Sequence, residues 1–273
     1  MRQLACTTLP MPQDACIKVE IDQHVATLTL HQPARRNAMR LQMWQQLTTT
    51  LEHLAHQAEV RVVVVTGAGD KAFCAGADIS EFAQLRTTPA DSVAYDHITH
   101  AACAALGNFS KPTIAHIHGS CIGGGMELAL LCDIRLGAED ARFGVTPAKL
   151  GLGYGLNDTQ LLVDQLGAPA TREILFTGRI FSPDEALRLG IVNRVVSVAE
   201  LQPLVAQYAH DIAHNAPLTL KASKAIIAEA AKTPPERNEQ LCEQLVEACY
   251  ASSDFVEGQT AFAEKRKPVF RGQ

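Results

Sequence analysis

The chain has 273 residues, of which 47% are hydrophobic and 19% are charged, so it can bury a sizeable core. Its 24 Lys and Arg residues against 29 Asp and Glu residues give a net charge of -5, with no basic patch to attract nucleic acid or an anionic membrane surface. No stretch approaches the roughly 18 apolar residues of a membrane-spanning helix. We therefore expect no nucleic-acid partner and no membrane association.

The cysteines and the N-terminus indicate a reducing compartment. The chain has eight cysteines, and none of them forms a Cys-x-x-Cys pair. Most lie among small apolar residues, which is typical of buried free thiols. Residues 1–14 lack the continuous apolar run of a signal peptide. The sequence therefore predicts a cytoplasmic protein.

Hydrophobic periodicity predicts several elements in the first part of the chain. Residues 17–21 and 25–30 alternate with period two on either side of a short turn, which predicts a β-hairpin. Apolar residues recur at helical spacing over 41–54, and a longer helix is predicted over about 91–106. Residues 62–65 are all valine, which is typical of a strand covered on both faces.

A glycine-rich segment carries the clearest chemical signal. Residues 113–132 predict a short buried strand, a turn at Gly119, three glycines at 123–125 and an apolar helix. Glycines at a helix entrance leave its unpaired amides open to a ligand. Glu127 lies in the first turn of that helix, in otherwise apolar surroundings. This pattern predicts a site where an oxyanion is stabilised and a proton is moved.

A second segment with little side-chain bulk lies at residues 73–79, where Phe-Cys-Ala-Gly-Ala-Asp-Ile places Asp78 in position to cap a helix. On its own, such a segment is more often an ordinary tight turn. Together with the three glycines, it offers one amide from each segment to a single oxygen. That is the paired donor set that an enolate or a tetrahedral oxyanion needs.

Other motifs fit known sites less well. The glycines of residues 67–69 follow a strand, but the third glycine of a dinucleotide-binding motif would fall on Ala72. Residues 119–124 have the glycine spacing of a phosphate loop, but the required lysine and hydroxyl residues do not follow. His116 and His118 share one face of a strand without a third ligand nearby. We interpret them as core or subunit-contact residues and predict no metal site.

The order strand, glycine turn, helix occurs at least three times, which favours a coil of ββα units around one core. From about Val198 the chain is mostly helical, with an apolar stripe at Leu241, Leu245 and Cys249. Such a stripe suits packing on a neighbouring subunit as well as on the chain's own core.

Five segments resemble, in order, those of the enoyl-CoA hydratase/isomerase family, the crotonases, and the match covers nearly the whole chain from about residue 15. They are QPARRNAM at 32–39, AFCAGADI at 72–79, IAHIHGSCIGGGMELALLCDIRLGA at 114–138, FTGRIFSPDEALRLGIVNRVV at 176–196 and AFAEKRKPVF at 261–270. The two glycine segments together are specific to the family.

The resemblance implies an α/β fold, a crotonase-like spiral of repeated ββα units with a helical C-terminal region. Residues 1–197 are expected to form the core domain with the CoA and oxyanion-hole site, and residues 198–273 the trimerisation region of a homotrimer or homohexamer. The implied substrate is an acyl-CoA thioester of fatty acid metabolism. Coenzyme A would enter as part of that substrate, without a separate cofactor and without a metal ion.

The resemblance also assigns site residues by their position in the family motifs. It assigns the oxyanion-hole amides to Ala77 and Gly124, and the first of two catalytic glutamates to Glu127. It assigns the CoA-binding turn to Asp78, Ile79 and Ser80, beside Ala77. The thioester carbonyl would accept both amides, the α-carbon would gain carbanion character, and Glu127 would handle the water or the proton.

The sequence departs from the family pattern at one position. In typical hydratases a second glutamate lies twenty positions after the first, and here that position holds Pro147, which has no titratable group. Water addition is easiest when one carboxylate activates water and another protonates the α-carbon. Asp158 and Tyr154 in the following loop are candidates for supplying a proton. Alternatively, Glu127 acts alone through water.

The sequence thus supports three hypotheses. The leading one is an enoyl-CoA hydratase. The second keeps the oxyanion hole but changes the reaction to isomerisation, or to another acyl-CoA lyase or decarboxylase reaction, because of Pro147. The third is a non-catalytic homologue that binds CoA or a partner protein, which the retained Glu127 disfavours. Residues 80–112 are predicted to shape the acyl pocket.

Overall fold

The computed structural model describes residues 15–273. In chain order its strands are β1 (Cys16–Asp22), β2 (Val25–His31), β3 (Val62–Gly67), β4 (Ala72–Cys74), β5 (Thr113–Ile117), β6 (Ser120–Ile122), β7 (Ile134–Ala138), β8 (Arg142–Gly144) and β9 (Arg194–Val196). The predicted hairpin is confirmed: β1 and β2 are antiparallel, and Ala26, Leu28 and Leu30 of β2 are buried while the residues between them are half-buried.

Helices follow or connect the strands throughout. They are α1 (Leu41–His56), α2 (Phe82–Leu85), α3 (Pro89–Gly107), α4 (Gly124–Leu131), α5 (Leu156–Thr177), α6 (Pro183–Arg188), α7 (Val198–His214), α8 (Pro217–Ala230), α9 (Glu239–Tyr250) and α10 (Ser253–Ala263). Helix α5 is kinked at Gly167, which has a φ of 78° and is followed by Pro169. The helices predicted over 41–54 and 91–106 correspond to α1 and α3.

The larger sheet has six strands in the order β1-β2-β3-β5-β7-β9, and all pairs beyond the hairpin are parallel. The four valines of β3 are buried, as predicted for a strand covered on both faces. Val63 and Val65 belong to the main core with α1, α3 and α4, whereas Val62 and Val64 pack with α7. The sheet therefore separates two helical layers.

A second, smaller sheet positions the candidate site. It consists of β4, β6 and β8, each three residues long and parallel to its neighbour. The carboxyl end of β4 leads into the Gly76-Ala77 turn, and that of β6 leads into the glycines that open α4. The carboxyl end of β8 leads into the loop that precedes α5. Parallel pairing brings these three chain segments to one edge of the sheet.

The C-terminal part of the chain is helical from Val198, as predicted. Helix α7 packs on the six-stranded sheet, and helices α8 to α10 continue beyond it. Between α8, α9 and α10 lies an apolar groove of about 650 Å³. The division of the chain at residue 197 stays a prediction.

The described part of the chain also bears on the cysteines and on membrane insertion. The seven cysteines within residues 15–273 are all free thiols. Cys6 and the segment predicted not to be a signal peptide lie outside the described residues. Within residues 15–273, no helix is both long enough and apolar enough to cross a bilayer.

Candidate active site

The residues predicted to carry chemistry meet at a cavity of about 260 Å³ on the α1, α3 and α4 side of the larger sheet. Its lining includes Trp44, Ala77, His100, Gly124, Glu127 and Asp158. Seven residues from the 80–112 region, which was predicted to shape the acyl pocket, also contribute to the lining.

The two glycine segments lie side by side at the carboxyl ends of β4 and β6. A Cβ built on Gly124 would lie 3.8 Å from the amide nitrogen of Ala77, and one built on Gly76 would lie 3.5 Å from the amide nitrogen of Gly124. The neighbouring amide of Gly123 already donates to the carbonyl of Gly144 over 2.8 Å. The amides of Ala77 and Gly124 are thus close together at the edge of the cavity.

Each of the three consecutive glycines is required for a different reason. Gly123 has a φ of +55°, in the left-handed region that side chains rarely adopt. A Cβ on Gly125 would lie 2.2 Å from the backbone oxygen of Cys74, so β4 leaves no room for it. A Cβ on Gly124 would lie 3.3 Å from the ring of Trp44 and beside the paired amides. Glycine at position 124 therefore keeps the approach of a ligand to the paired amides free of a side chain.

Glu127 lies in the first turn of α4 and faces the same cavity. Burial raises the pKa of its carboxyl from the ordinary 4.5 to about 8, and the nearby negative charge of Asp158 adds to the increase. At neutral pH, Glu127 therefore holds its proton. A carboxylic acid in this state is suited to give a proton to a carbanion and to take it back.

Asp158 lines the same cavity as Glu127 and lies in the first turn of α5. Its Oδ2 accepts a hydrogen bond from the amide of Gly155 over 3.3 Å, and its Oδ1 lies 3.2 Å from Nε2 of His100 on α3. The side chain of Asp158 is 22% exposed and that of His100 is 36% exposed. Both side chains are therefore accessible from the cavity.

The structure separates Pro147 from the groups that face the cavity. Pro147 is buried at the start of a 3₁₀ turn, Pro147–Lys149, and is not part of the cavity lining. Tyr154, the other predicted candidate in this loop, lines the cavity, but its hydroxyl is buried. Of the two candidates, Asp158 is the one with an accessible ionisable group.

Aromatic rings and one ion pair form another part of the wall. The guanidinium carbon of Arg86 lies 5.0 Å from the ring centre of Phe82 and 4.3 Å from that of Tyr95. Arg86 also forms an ion pair with Asp96. Burial raises the pKa of Tyr95 to about 12, so its hydroxyl stays neutral. This part of the wall supplies shape more than proton transfer.

The turn assigned to CoA binding lies outside the lining of the cavity. The buried carboxyl of Asp78 accepts hydrogen bonds from the amide of Ser80 over 3.1 Å and from its hydroxyl over 2.6 Å, and so caps the 3₁₀ turn Ile79–Glu81. Ile79 is 58% exposed and Ser80 is also at the surface. The role of these three residues in CoA binding stays a prediction.

His116 and His118 lie away from this site, on the α7 side of the larger sheet. They line a separate groove of about 600 Å³, with their ring centres 5.7 Å apart. Burial, together with the neighbouring His118, lowers the pKa of His116 to about 4. Among residues 15–273, no three His, Cys, Asp or Glu side chains are arranged to hold a metal ion.

Sequence reasoning did not single out several residues of the site, among them Trp44, Arg86 and His100. One signal for His100 was available: Asp96, His100 and Cys103 are spaced by four and three residues, so they share one face of α3. All three line the cavity. The contact between His100 and Asp158 spans 58 residues and leaves no local pattern.

Residues 20–273 match the family model for enoyl-CoA hydratase/isomerase. The chain therefore belongs to the enoyl-CoA hydratase/isomerase family, and the predicted family is confirmed.

Individual relatives align with this chain over nearly their full length. The chain is 33% identical to a short-chain-enoyl-CoA hydratase from Clostridium acetobutylicum, covering 91% of this chain and 95% of the relative. It is also 33% identical to a crotonyl-CoA hydratase from Syntrophomonas wolfei, covering 93% and 97%.

A solved structure described as an enoyl-CoA hydratase/carnithine racemase from Magnetospirillum magneticum superposes with a TM-score of 0.89. It is 38% identical, with 94% of this chain and 96% of that chain covered. The predicted fold class, a crotonase-like α/β spiral with a helical C-terminal region, is confirmed.

Proposed function

We propose that this chain is an enoyl-CoA hydratase, which adds water to the double bond of a 2-enoyl-CoA thioester. One observation carries the proposal: the adjacent amides of Ala77 and Gly124 face the same cavity as Glu127, whose pKa is raised to about 8. Two donors for a developing oxyanion and one proton carrier are the minimum that this addition needs.

In the proposed reaction the thioester oxygen accepts hydrogen bonds from Ala77 and Gly124. These bonds draw electron density from the double bond and make the β-carbon electrophilic. The water oxygen bonds to the β-carbon and releases one proton, while the π electron pair moves to the thioester oxygen as an enolate. The enolate then takes a proton at the α-carbon. The two amides strengthen their bonds as the oxygen becomes negative, so they stabilise the transition state more than the substrate.

The test is the loss of the enoyl-thioester absorbance when purified protein is mixed with crotonyl-CoA and with longer 2-enoyl-CoA thioesters. We expect turnover with at least one chain length and 3-hydroxyacyl-CoA as the product by mass spectrometry. Well-folded protein that hydrates none of these thioesters would rule the proposal out.

Pro147 favours one alternative, the isomerisation of a 3-enoyl-CoA to a 2-enoyl-CoA. Isomerisation moves one proton between two carbons, and a single acid can do this without activating water. Incubation with 3-enoyl-CoA in the presence of a coupled 2-enoyl-CoA assay tests this branch. Isomerisation without hydration would favour the alternative over the hydratase.

Further features of the proposed function concern assembly and cellular context. We infer a homotrimer or homohexamer in the cytoplasm, active in fatty acid metabolism, without a metal ion and with coenzyme A bound only as part of the substrate. The apolar groove among α8, α9 and α10, together with the 88% exposed Phe262, supports a subunit contact through the C-terminal helices. Light scattering coupled to size exclusion tests the assembly, and a monomer at micromolar concentration would contradict it.

A further inference from the structure

We propose that Asp158, oriented by His100, is the second acid–base residue of this site and activates the water that adds to the β-carbon. The inference rests on the proposed hydratase function. It assigns to α5 and α3 the chemistry that the buried Pro147 cannot perform.

The first argument is position. Glu127, His100 and Asp158 together line the main cavity of about 260 Å³ and also a smaller cavity of about 250 Å³. The three side chains therefore lie where the two spaces meet. A substrate whose thioester oxygen is held by the paired amides would therefore share the cavity with both carboxyl groups.

The second argument is that the two carboxyl oxygens of Asp158 have different contacts. Oδ2 accepts the hydrogen bond from Gly155 that caps α5, and this accounts for one oxygen. A cap does not explain the other oxygen, which lies 3.2 Å from His100 on a different helix. That contact holds the carboxyl group of Asp158 against α3, at the wall of the cavity.

The third argument is electrostatic. Burial and the charge of Asp158 raise the pKa of Glu127 to about 8, so Glu127 holds its proton at neutral pH. A protonated carboxyl group and a second, more exposed carboxyl group in one cavity can supply an acid and a base at once. The other titratable or charged groups around Glu127 and Asp158 are Arg86, Asp96, Tyr95, Cys103, Cys74 and Tyr154. Arg86 and Asp96 neutralise each other, and burial keeps both thiols protonated.

The proposed step balances as follows. Asp158 takes a proton from water while the water oxygen forms a bond to the β-carbon, and the π electrons move to the thioester oxygen. Protonated Glu127 then gives its proton to the α-carbon, and the enolate electrons form the new C–H bond. The product is a 3-hydroxyacyl-CoA. Transfer of the proton from Asp158 to Glu127 through solvent restores the starting state.

The experiment compares Asp158→Asn with the wild type. Asparagine keeps an oxygen for the Gly155 amide but cannot take a proton from water. We expect the kcat for hydration of crotonyl-CoA to fall by about 100-fold or more, the usual contribution of a general base. Affinity for acetoacetyl-CoA, measured by calorimetry, should stay within about threefold because the paired amides are intact. Asp164→Asn on the exposed face of α5 is the matched control and should retain wild-type turnover.

Hydrogen exchange separates catalysis from structure. In D₂O, Asp158→Asn should still exchange the α-proton of 3-hydroxybutyryl-CoA, because Glu127 performs that step, while elimination of water is lost. A structural defect would slow both reactions together and would overturn the proposal. His100→Gln should lower kcat about tenfold, without loss of exchange, because it only orients the carboxylate.

Asp158→Glu guards against a loss of folding in the asparagine variant. It keeps a carboxylate near the junction, so it should turn over faster than Asp158→Asn. Equal losses in both variants would assign Asp158 to capping alone and overturn the inference. Full hydration by Asp158→Asn would do the same. Absence of hydration by the wild type is a different result, since it contradicts the hydratase proposal itself.

Discussion

The two sides of the cavity are built in different ways. On the side of β4 and β6, the cavity is lined by the paired amides of Ala77 and Gly124 and by the carboxyl group of Glu127, and glycine at position 124 keeps side chains away from the amides. We call this side the backbone wall. On the side of α3 and α5, the facing groups are the side chains of His100 and Asp158, held by a contact between two helices. A backbone wall tolerates almost no substitution, whereas a side-chain wall can change its chemistry one residue at a time.

The largest effect is expected on the backbone wall, where Gly125→Ala should destabilise the fold. The added Cβ would lie 2.2 Å from the backbone oxygen of Cys74, so β4 and α4 must separate. We expect a loss of more than about 4 kcal/mol in the free energy of unfolding, or no folded protein. Chemical denaturation measures it. Gly153→Ala, where a Cβ meets nothing within 4 Å, is the stability control. Similar stability in both variants would contradict the close packing.

The next effect concerns the one acid on the backbone wall. Glu127→Gln keeps the shape but removes the proton carrier, so we expect kcat for hydration to fall by about 10²- to 10⁴-fold. Steady-state kinetics with crotonyl-CoA measures the change. Glu247→Gln on the exposed face of α9 should leave kcat unchanged. If both variants turn over alike, Glu127 has no part in the reaction.

A smaller effect is expected at the amides themselves. Gly124→Ala places a methyl group 3.3 Å from Trp44 and 3.8 Å from the Ala77 nitrogen, where it obstructs the approach of the thioester oxygen. We expect kcat/KM to fall by about 100-fold, comparable to the loss of one oxyanion donor. The midpoint of thermal unfolding should change little. Gly258→Ala in α10, where a Cβ makes ordinary 3.6 Å contact with Phe270, is the control. An unimpaired Gly124→Ala would argue against an oxyanion at this position.

The remaining effect is on stability rather than on turnover, and it depends on pH. Because folding raises the pKa of Glu127 from 4.5 to about 8, the folded state holds a proton between these values that the unfolded state has lost. The contribution of this residue to the free energy of unfolding therefore decreases as pH rises through that window, by at most about 1.4 kcal/mol per pH unit. Urea unfolding from pH 5 to 8 should show this decrease in the wild type and not in Glu127→Gln. If the free energy of unfolding depends on pH in the same way in both proteins, the pKa of Glu127 is not raised by folding.

The difference between the two walls also explains what the sequence could predict. The hairpin and α1 follow from hydrophobic periods of two and about 3.6, which are local signals. The backbone wall is equally local, since glycines at 123–125 and Glu127 are adjacent in the chain. The segment containing Ala77 could be paired with the three glycines because it, too, consists mostly of small residues. The family resemblance then assigned the two amides to Ala77 and Gly124.

The side-chain wall was harder to predict because its contacts are distant in sequence. His100 and Asp158 are separated by 58 residues, and neither occupies a position that a motif marks. The second sheet was missed for a related reason. Strands of three residues, such as β4 and β8, are too short to show a period, and their pairing depends on the parallel arrangement of distant segments.

The three short strands of the smaller sheet have a consequence for how such a protein can diversify. Strands β4 and β6 lead to the amide pair, and β8 leads to a separate loop that ends at α5. Substitutions in the segment after β8 can therefore exchange one proton-transfer group for another, while the residues of the segments after β4 and β6 stay unchanged. The binding of the thioester oxygen and the reaction at the neighbouring carbon atoms can then change independently of each other. Proline at position 147 is the trace that such an exchange would leave.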